Sequence, residues 1–364
     1  MFEREWWRSQ LRITWHLPAI IGVLLLLAAS PWITSRPPRV VRLHGTHYAI
    51  GLQHGRLLHD EIRQLYDGYV IRGLVAKEGR SLESLVATAR HYDPFIPPPL
   101  REEMRGIADG AGVPYDEILV MNTFADAVLG RSRFCSAVAV HGQDGLLVGR
   151  NLDWINHGVA HKSSIVFILE PDGERRVLSV GWPGLVGVVT GMNDQGVVVT
   201  MNMAVANDLE PNATPALLRI REVLDRDVSA EAAITDASGA PRTIAMNWMV
   251  ADKTHASVLE LTGHRQAVRP MSGSCAVTTN YFESLPSRGG FGSDRSSRLR
   301  SIFASEGAAS VGEVERALLR VAFIGPSDGI GTIQSVVFDP GTRSAHIAIG
   351  NLPAPAGRFY RVGM

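Results

Sequence analysis

The sequence predicts an α+β fold in which antiparallel sheets stack beneath layers of helix. Residues from about Val40 to Ala127 carry apolar side chains mostly at helical spacing. After Cys135 the pattern changes to short alternating runs joined by Gly-, Pro- and Asn-containing turns. Helical stretches recur between those hairpins, and sheets and helices that each have one apolar face bury it by stacking in layers.

The helical part reads in order as Ala49 to Val75, Ser81 to Tyr92, Leu100 to Ala111 and a start at Pro114-Tyr115-Asp116-Glu117 leading to Ala125. The first hairpin runs from Cys135-Ser136-Ala137-Val138-Ala139-Val140, through His141 to Gly145, and back along Leu146 to Trp154. Four more follow: Ile165–Leu169 with Arg176–Val180, Leu185–Thr190 with Val197–Met201, Ile244–Val250 with Ala256–Leu259, and Gln334–Phe338 with Ala345–Ile349. Their connections use the residues that tight turns require. Helices are expected at Thr214–Leu224, Arg295–Ala304 and Val311–Val321. No internal repeat is evident.

Thirty-six basic and thirty-six acidic residues cancel, which argues against a nucleic-acid surface. Two cysteines, Cys135 and Cys275, are too few for a disulfide scaffold or a Cys-rich zinc site. A bridge between them is open in an oxidising compartment, but a free Cys135 is preferred. No metal, nucleotide or prosthetic group is implied. The histidines lack clean metal spacing: His54 and His59 are five apart, and His44 and His47 read as structural.

The N-terminus predicts contact with a membrane. Ile13 to Ser35 is uncharged, and as a helix it would be roughly 34 Å long, against about 30 Å of hydrocarbon. Pro31 directly after Ala28-Ala29-Ser30 favours an uncleaved signal anchor over a cleaved signal peptide. The expectation is an anchor and linker over 1–39, a helical segment over 40–134 and a catalytic segment over 135–364, held outside the cytoplasm, with secretion after cleavage as the alternative.

Chemistry concentrates at the first hairpin. Its antiparallel geometry should bring Cys135 close to Arg150 and Asp153, and a thiol beside a fixed cation and carboxylate can act as a nucleophile. On a regular strand Arg150 and Asp153 point to opposite faces. A Cys–His arrangement with His141 or His157 is a rival pattern.

Several segments in order carry a resemblance: Gly45 to Gly55, Met104 to Leu119, Cys135, Gly149-Arg150-Asn151-Leu152-Asp153, Gly191-Met192-Asn193, Thr278-Thr279-Asn280 and Asp294-Arg295-Ser296-Ser297-Arg298. Together they resemble the N-terminal nucleophile (Ntn) hydrolases. The most similar branch is the acyl-coenzyme A:6-aminopenicillanate acyltransferase family (peptidase C45), related to choloylglycine hydrolases and acid ceramidase. Ala49, where the family usually has Glu, and the flanking Phe134 and Ser136 depart from its pattern.

The resemblance implies an αββα sandwich made as a precursor and cut autocatalytically between Phe134 and Cys135. The freed amine of Cys135 would serve as base, Asp153 would orient it, and Arg150 would stabilise the thiolate. Asn280 and Asn202 would hold the oxyanion, and Arg298 would support the site or bind substrate. The implied activity is cleavage of a linear amide in a small N-acyl substrate, lipid-like in one reading, by an amidohydrolase or acyltransferase. An uncut Cys–His thiol hydrolase and a catalytically inactive membrane-tethered binding domain are the alternatives.

Overall fold

Along Ser136–His141 (β2), side-chain alternation sends Ala137 and Ala139 to one face and Val138 and Val140 to the other, and each pair joins a different core. That division organises the whole computed structural model, which describes residues 37–127, 135–286, 291–305, 307–326 and 328–364. These lie in one compact unit, Arg36–Met364. The apolar stretch Ile13–Ser35, Phe134 and residues 287–290 lie outside the described residues. Among the described residues no helix is long and apolar enough to cross a membrane.

Helix and strand alternate in an order the sequence largely anticipates. Val40–Gly45 (β1) leads into His47–Leu57 (α1) and His59–Leu65 (α2), then a π-helix at Tyr66–Lys77. Leu82–Tyr92 (α3), Pro98–Ala111 (α4) and Tyr115–Ala127 (α5) complete the N-terminal part. After β2 come Leu146–Ile155 (β3), Ile165–Pro171 (β4), Val177–Gly181 (β5), Thr190–Asn193 (β6) and Val198–Met203 (β7). Ala216–Arg226 (α6) and Ala230–Ser238 (α7) precede Met246–Ala251 (β8), Ala256–Leu261 (β9), Gln266–Pro270 (β10) and Cys275–Thr278 (β11). Ser293–Ile302 (α8), Val311–Arg320 (α9), Ile330–Asp339 (β12), Ser344–Ile349 (β13) and Tyr360–Gly363 (β14) end the chain.

Two sheets result, ordered β1-β4-β5-β6-β7-β8-β9-β10 and β11-β2-β3-β12-β13-β14. Their inner faces meet in one core, where Ala139, Val148 and Phe338 of the smaller sheet pack with Ile168, Val198 and Met249 of the larger. Outside the smaller sheet, Leu299 of α8 and Val314 and Leu318 of α9 cover Val138, Val140 and Val337. Outside the larger sheet, the N-terminal helices with α6 and α7 cover Phe167, Val199 and Trp248. Helix, sheet, sheet and helix are therefore stacked in that order, as expected.

Three details correct the sequence reading. The strand expected over Leu185–Thr190 forms instead at Thr190–Asn193, and residues 185–189 lie outside any strand. Val40–Gly45 is a strand, and it joins β4 in parallel, Val41 opposite Phe167, so the larger sheet is not wholly antiparallel. The long helix expected from Ala49 to Val75 breaks at Leu58 and continues past Leu65 with the wider π turn. Some of the helices start at side-chain caps. Thr46 accepts the Ala49 amide, and Ser310 and Glu313 form a reciprocal capping box on α9.

Glycines in the segments Gly45 to Gly55 and Met104 to Leu119 serve packing. A Cβ on Gly51 would lie 2.0 Å from the Glu103 carbonyl oxygen, and one on Gly55 2.3 Å from that of Ile107. Reciprocally, Gly106 would meet the Tyr48 carbonyl at 2.3 Å and Gly110 that of Leu52 at 2.5 Å. The α1 and α4 backbones are in direct contact, and only glycine fits the crossing.

Candidate active site

Cys135 sits immediately before β2, with its side chain almost fully buried. The antiparallel register pairs Ser136 with Asn151, so the thiol arrives beside the last turn of the pleat of β3. Its Sγ donates to the Asp153 carbonyl oxygen at 3.6 Å. The far end of the same strand pairs with β11, Cys275 opposite Val140. Five residues of extended chain separate the two cysteines by roughly 16 Å, too far for a bridge. Both thiols are free.

Alternation along β3 sends the two charged candidates to different faces, as the strand geometry requires. Arg150 reaches inward to the larger sheet, donating to Asn202 Oδ1 and to the Met201 carbonyl. Asp153 faces the helical side, where it accepts from the Thr332 hydroxyl of β12 and from Arg295 of α8, the latter at 3.3 Å. The register of β12 slips between Thr332 and Gln334, directly opposite Asp153, and this bulge places Thr332 under the carboxylate.

Burial pushes the Asp153 carboxyl up to about 7, although Arg295, the Thr332 hydroxyl and Arg150 all pull it down. Burial likewise lowers the Arg295 guanidinium, against the opposing pull of Asp153 and Cys135. Arg295 is the hub of the cluster. One Nη donates to the Cys135 carbonyl at 3.0 Å and to Asp153, and the other donates to Asn280 Oδ1 at 3.3 Å.

The two asparagines are also brought to the site. Asn202, on β7, donates from Nδ2 to the Thr278 carbonyl at 3.1 Å, and Asn280 donates to the Met203 carbonyl at 2.8 Å. Each amide nitrogen carries two protons, so one on each is left for another acceptor. Asn193, the rival to Asn202, spends its amide on the Leu224 and Asp227 carbonyls and belongs to a turn.

Arg298 faces outward. It lies on the exposed face of α8 and donates to the Arg320 carbonyl at 3.0 Å, away from Cys135. Arg295, one helical turn earlier, is the arginine of this motif that contacts Cys135, Asp153 and Asn280. The signal was present: Leu299 is fully buried, and the residue four before it shares that face of the helix. Sequence reasoning also missed Thr332 and Asn247, which lie in strands remote from Cys135.

The histidines stand apart from the thiol. His141 ends β2 next to the turn, about 20 Å from Cys135 along extended chain. His157 pairs with Glu78 at 3.3 Å, and His54 is buried, accepting from the Gly184 amide at 2.8 Å. His47, Glu174 and Asp225 bring three donor atoms within 4.8 Å of one another. Burial alone would lower His47, but hydrogen bonds to Glu103 and Glu174 override it and push its pKa up to about 9. A cationic imidazole is no metal ligand, and Arg221 already holds Asp225 at 2.7 Å.

Next to Asp153 on the chain, Trp154 lines an apolar cavity with Tyr69, Met121, Phe124, Trp182 and Leu185. Its indole donates to the Tyr69 hydroxyl at 2.7 Å. Cys135, Leu152 and Trp154 belong to the same packed core as these residues.

Sequence comparison places this arrangement among known proteins. An uncharacterised protein of Archaeoglobus fulgidus is 28% identical over 275 residues, spanning 64% of this chain and 45% of that protein. The acyl-coenzyme A:6-aminopenicillanic-acid-acyltransferase 40 kDa form of Emericella nidulans is 30% identical over 199 residues, 53% of this chain and 54% of that one. The N-acylethanolamine-hydrolyzing acid amidase of Rattus norvegicus is 23% identical over 299 residues, 75% of this chain and 80% of the relative. The chain spans about half the length of the first of these curated relatives. The profile of acyl-coenzyme A:6-aminopenicillanic acid acyl-transferase matches residues 140–352, more than half of the sequence, and the chain therefore belongs to that family.

Proposed function

We propose that this protein is an autoprocessed N-terminal-cysteine amidohydrolase or acyltransferase acting on linear amides of small N-acyl substrates. The observation that carries it is the Arg295 guanidinium, which ties the Cys135 carbonyl, the Asp153 carboxylate and the Asn280 amide into one buried cluster. Family membership and relatives named for acyl transfer and for N-acylethanolamine hydrolysis support amide chemistry.

In the precursor the Cys135 thiol attacks the Phe134 carbonyl carbon, and the acyl group passes from nitrogen to sulfur. Water then cleaves the thioester, leaving a carboxylate on Phe134 and a free amine on Cys135. An α-amine titrates near about 8, so it can take the thiol proton at neutral pH, which an amide nitrogen cannot. The thiolate adds to the substrate carbonyl, and the free N–H bonds of Asn202 and Asn280 receive the oxyanion. Collapse expels the amine, which takes its proton from the Cys135 ammonium, and leaves an acyl thioester. Water, or a second amine, takes the acyl group and regenerates the thiol. Arg150 holds Asn202 from behind, and Asp153 faces the new ammonium.

The aromatic cavity beside Trp154 supports an apolar acyl group. In our reading Ile13–Ser35 anchors the enzyme to a membrane with residues 135–364 on the extracytoplasmic side, where lipid-like amides are at hand. The separation of Cys135 from His141 along β2 argues against an uncut Cys–His hydrolase built on that pair, and the buried polar cluster is not what an inactive binding domain would need. N-terminal sequencing and mass spectrometry of purified protein test the proposal. Fragments of roughly 15 and 25 kDa, by proportion of length, with the larger starting at Cys135, are expected. Cys135→Ala should remain one chain without activity, and a processed Cys135→Ala protein would overturn the assignment.

A further inference from the structure

We infer that Asn247 is a positioning residue for the oxyanion donor Asn280, a role that rests on the amidohydrolase reading above. Asn247 stands on β8 directly opposite Asn202 of β7, and it is fully buried. Its Nδ2 donates to the carbonyls of Thr279, at 3.0 Å, and Tyr281, at 2.8 Å. Those two carbonyls flank Asn280 on either side. One amide therefore grips the backbone just before and just after the catalytic asparagine, across the seam between the two sheets.

The rest of the segment is secured separately. The backbone N–H of Asn280 donates to the Phe291 carbonyl at 3.2 Å. Downstream, buried Glu260 of β9 accepts from the backbone amides of Glu283, Ser284 and Leu285 at 2.8, 2.9 and 2.8 Å. Asn247 holds the peptides on both sides of Asn280.

Its own side chain is poorly served in return. Among the described residues, Asn247 Oδ1 is buried without a hydrogen-bond partner. A buried orphan acceptor is unfavourable, so an apolar residue would suit a purely packing role better. What a replacement would lose is the pair of Nδ2 bonds. Once the backbone on both sides of Asn280 is fixed, its side chain is aimed by Arg295 at Oδ1 and the Met203 carbonyl at Nδ2. Without the grip the peptide can rotate, and the remaining N–H of Asn280 no longer points where the oxyanion forms.

The test compares two reactions of the same thiol. Acylation of Cys135 by a 4-nitrophenyl acyl ester passes through an oxyanion, whereas alkylation by iodoacetamide does not. Rates are measured by mass spectrometry of the Cys135 peptide in mature protein, for wild type, Asn247→Asp, Asn247→Ala, Asn280→Ala and the Asn247→Ala/Asn280→Ala double variant. Asn247→Asp and Asn247→Ala should lower the ratio of acylation to alkylation at least about tenfold, within the hundredfold or more that loss of an oxyanion donor costs. The double variant should be no slower in acylation than Asn280→Ala.

An unchanged ratio in either folded variant, or losses that multiply in the double variant, overturns the inference. If Asn247→Asp is insoluble, Asn247→Ala decides, because it adds no charge. Wild-type Cys135 that alkylates but is never acylated would instead defeat the amidohydrolase reading.

Discussion

At Asp153 the physics of a single carboxyl decides how the proposed reaction responds to pH. Burial raises its pKa to about 7, so the unfolded chain, with an ordinary value near about 4, loses its proton first. This group's contribution to stability therefore falls as pH rises from about 4 to about 7 and is constant above that. Catalysis runs the other way, since only the carboxylate can hold the Cys135 ammonium. The pH profile of kcat/KM should show an acidic limb as Asp153 and the Cys135 amine take up protons. Arg295→Gln removes the nearest opposing charge and should move that limb up by about one unit or more while lowering kcat. Arg298→Gln should leave rate and profile within about twofold, because its exposed side chain donates to the Arg320 carbonyl rather than to the cluster around Cys135 among the described residues. Equal losses in the two variants would sink the assignment of Arg295. Both arginines lie in one short motif, and which of them turns inward was readable only from the apolar phase of the helix marked by Leu299.

Among the elements, the α1–α4 crossing makes the sharpest structural demand. Gly51, Gly55, Gly106 and Gly110 bring two helix backbones into contact, and a methyl group at Gly55 or Gly106 would have to push backbone aside. Each Gly→Ala change at these positions should cost about 1–3 kcal/mol of stability or more, read as a lowered urea midpoint with an unchanged slope. The same change at Gly239, where the nearest atoms are 3.6 Å away, should cost little. A neutral Gly106→Ala would show that the crossing is looser than described. The sequence displays these glycines within helical spacing, yet spacing cannot say that two such segments meet face to face. The π-helix and the parallel strand β1 were hidden for a similar reason. Val40–Gly45 has too few residues for a clear period, and its partner Ile165–Pro171 is more than a hundred positions away.

Across the whole molecule the aromatic cavity and the thiol share one core, although their residues come from both sides of the proposed cut. Tyr69, Met121 and Phe124 precede Cys135, whereas Trp154, Trp182 and Leu185 follow it. Cleavage should therefore leave the two fragments associated, and gel filtration of processed protein should recover them together. An apolar wall built from both also sets the expected selectivity. In a series of N-acyl-aminomethylcoumarin amides, apolar acyl groups should be preferred over charged ones of equal length, and Trp182→Ala should narrow that preference severalfold. A dicarboxylic acyl group cleaved as fast as its apolar counterpart would remove the cavity from the substrate path.

Local order in this chain was written in its local pattern. Alternation and turn residues determined most of the hairpins, helical period determined α3 to α6, α8 and α9, and the hairpin at Cys135 set the register that pairs β2 with β3. Those signals work because a strand or helix period repeats within a few residues and a hairpin closes on itself. The Arg295 hub, the Thr332 bulge and the Asn202–Asn247 pair joining two sheets around Asn280 were decided by the tertiary structure. Each depends on contacts between segments tens to hundreds of residues apart, and burial at such contacts, not spacing, selects which polar side chain faces the sulfur.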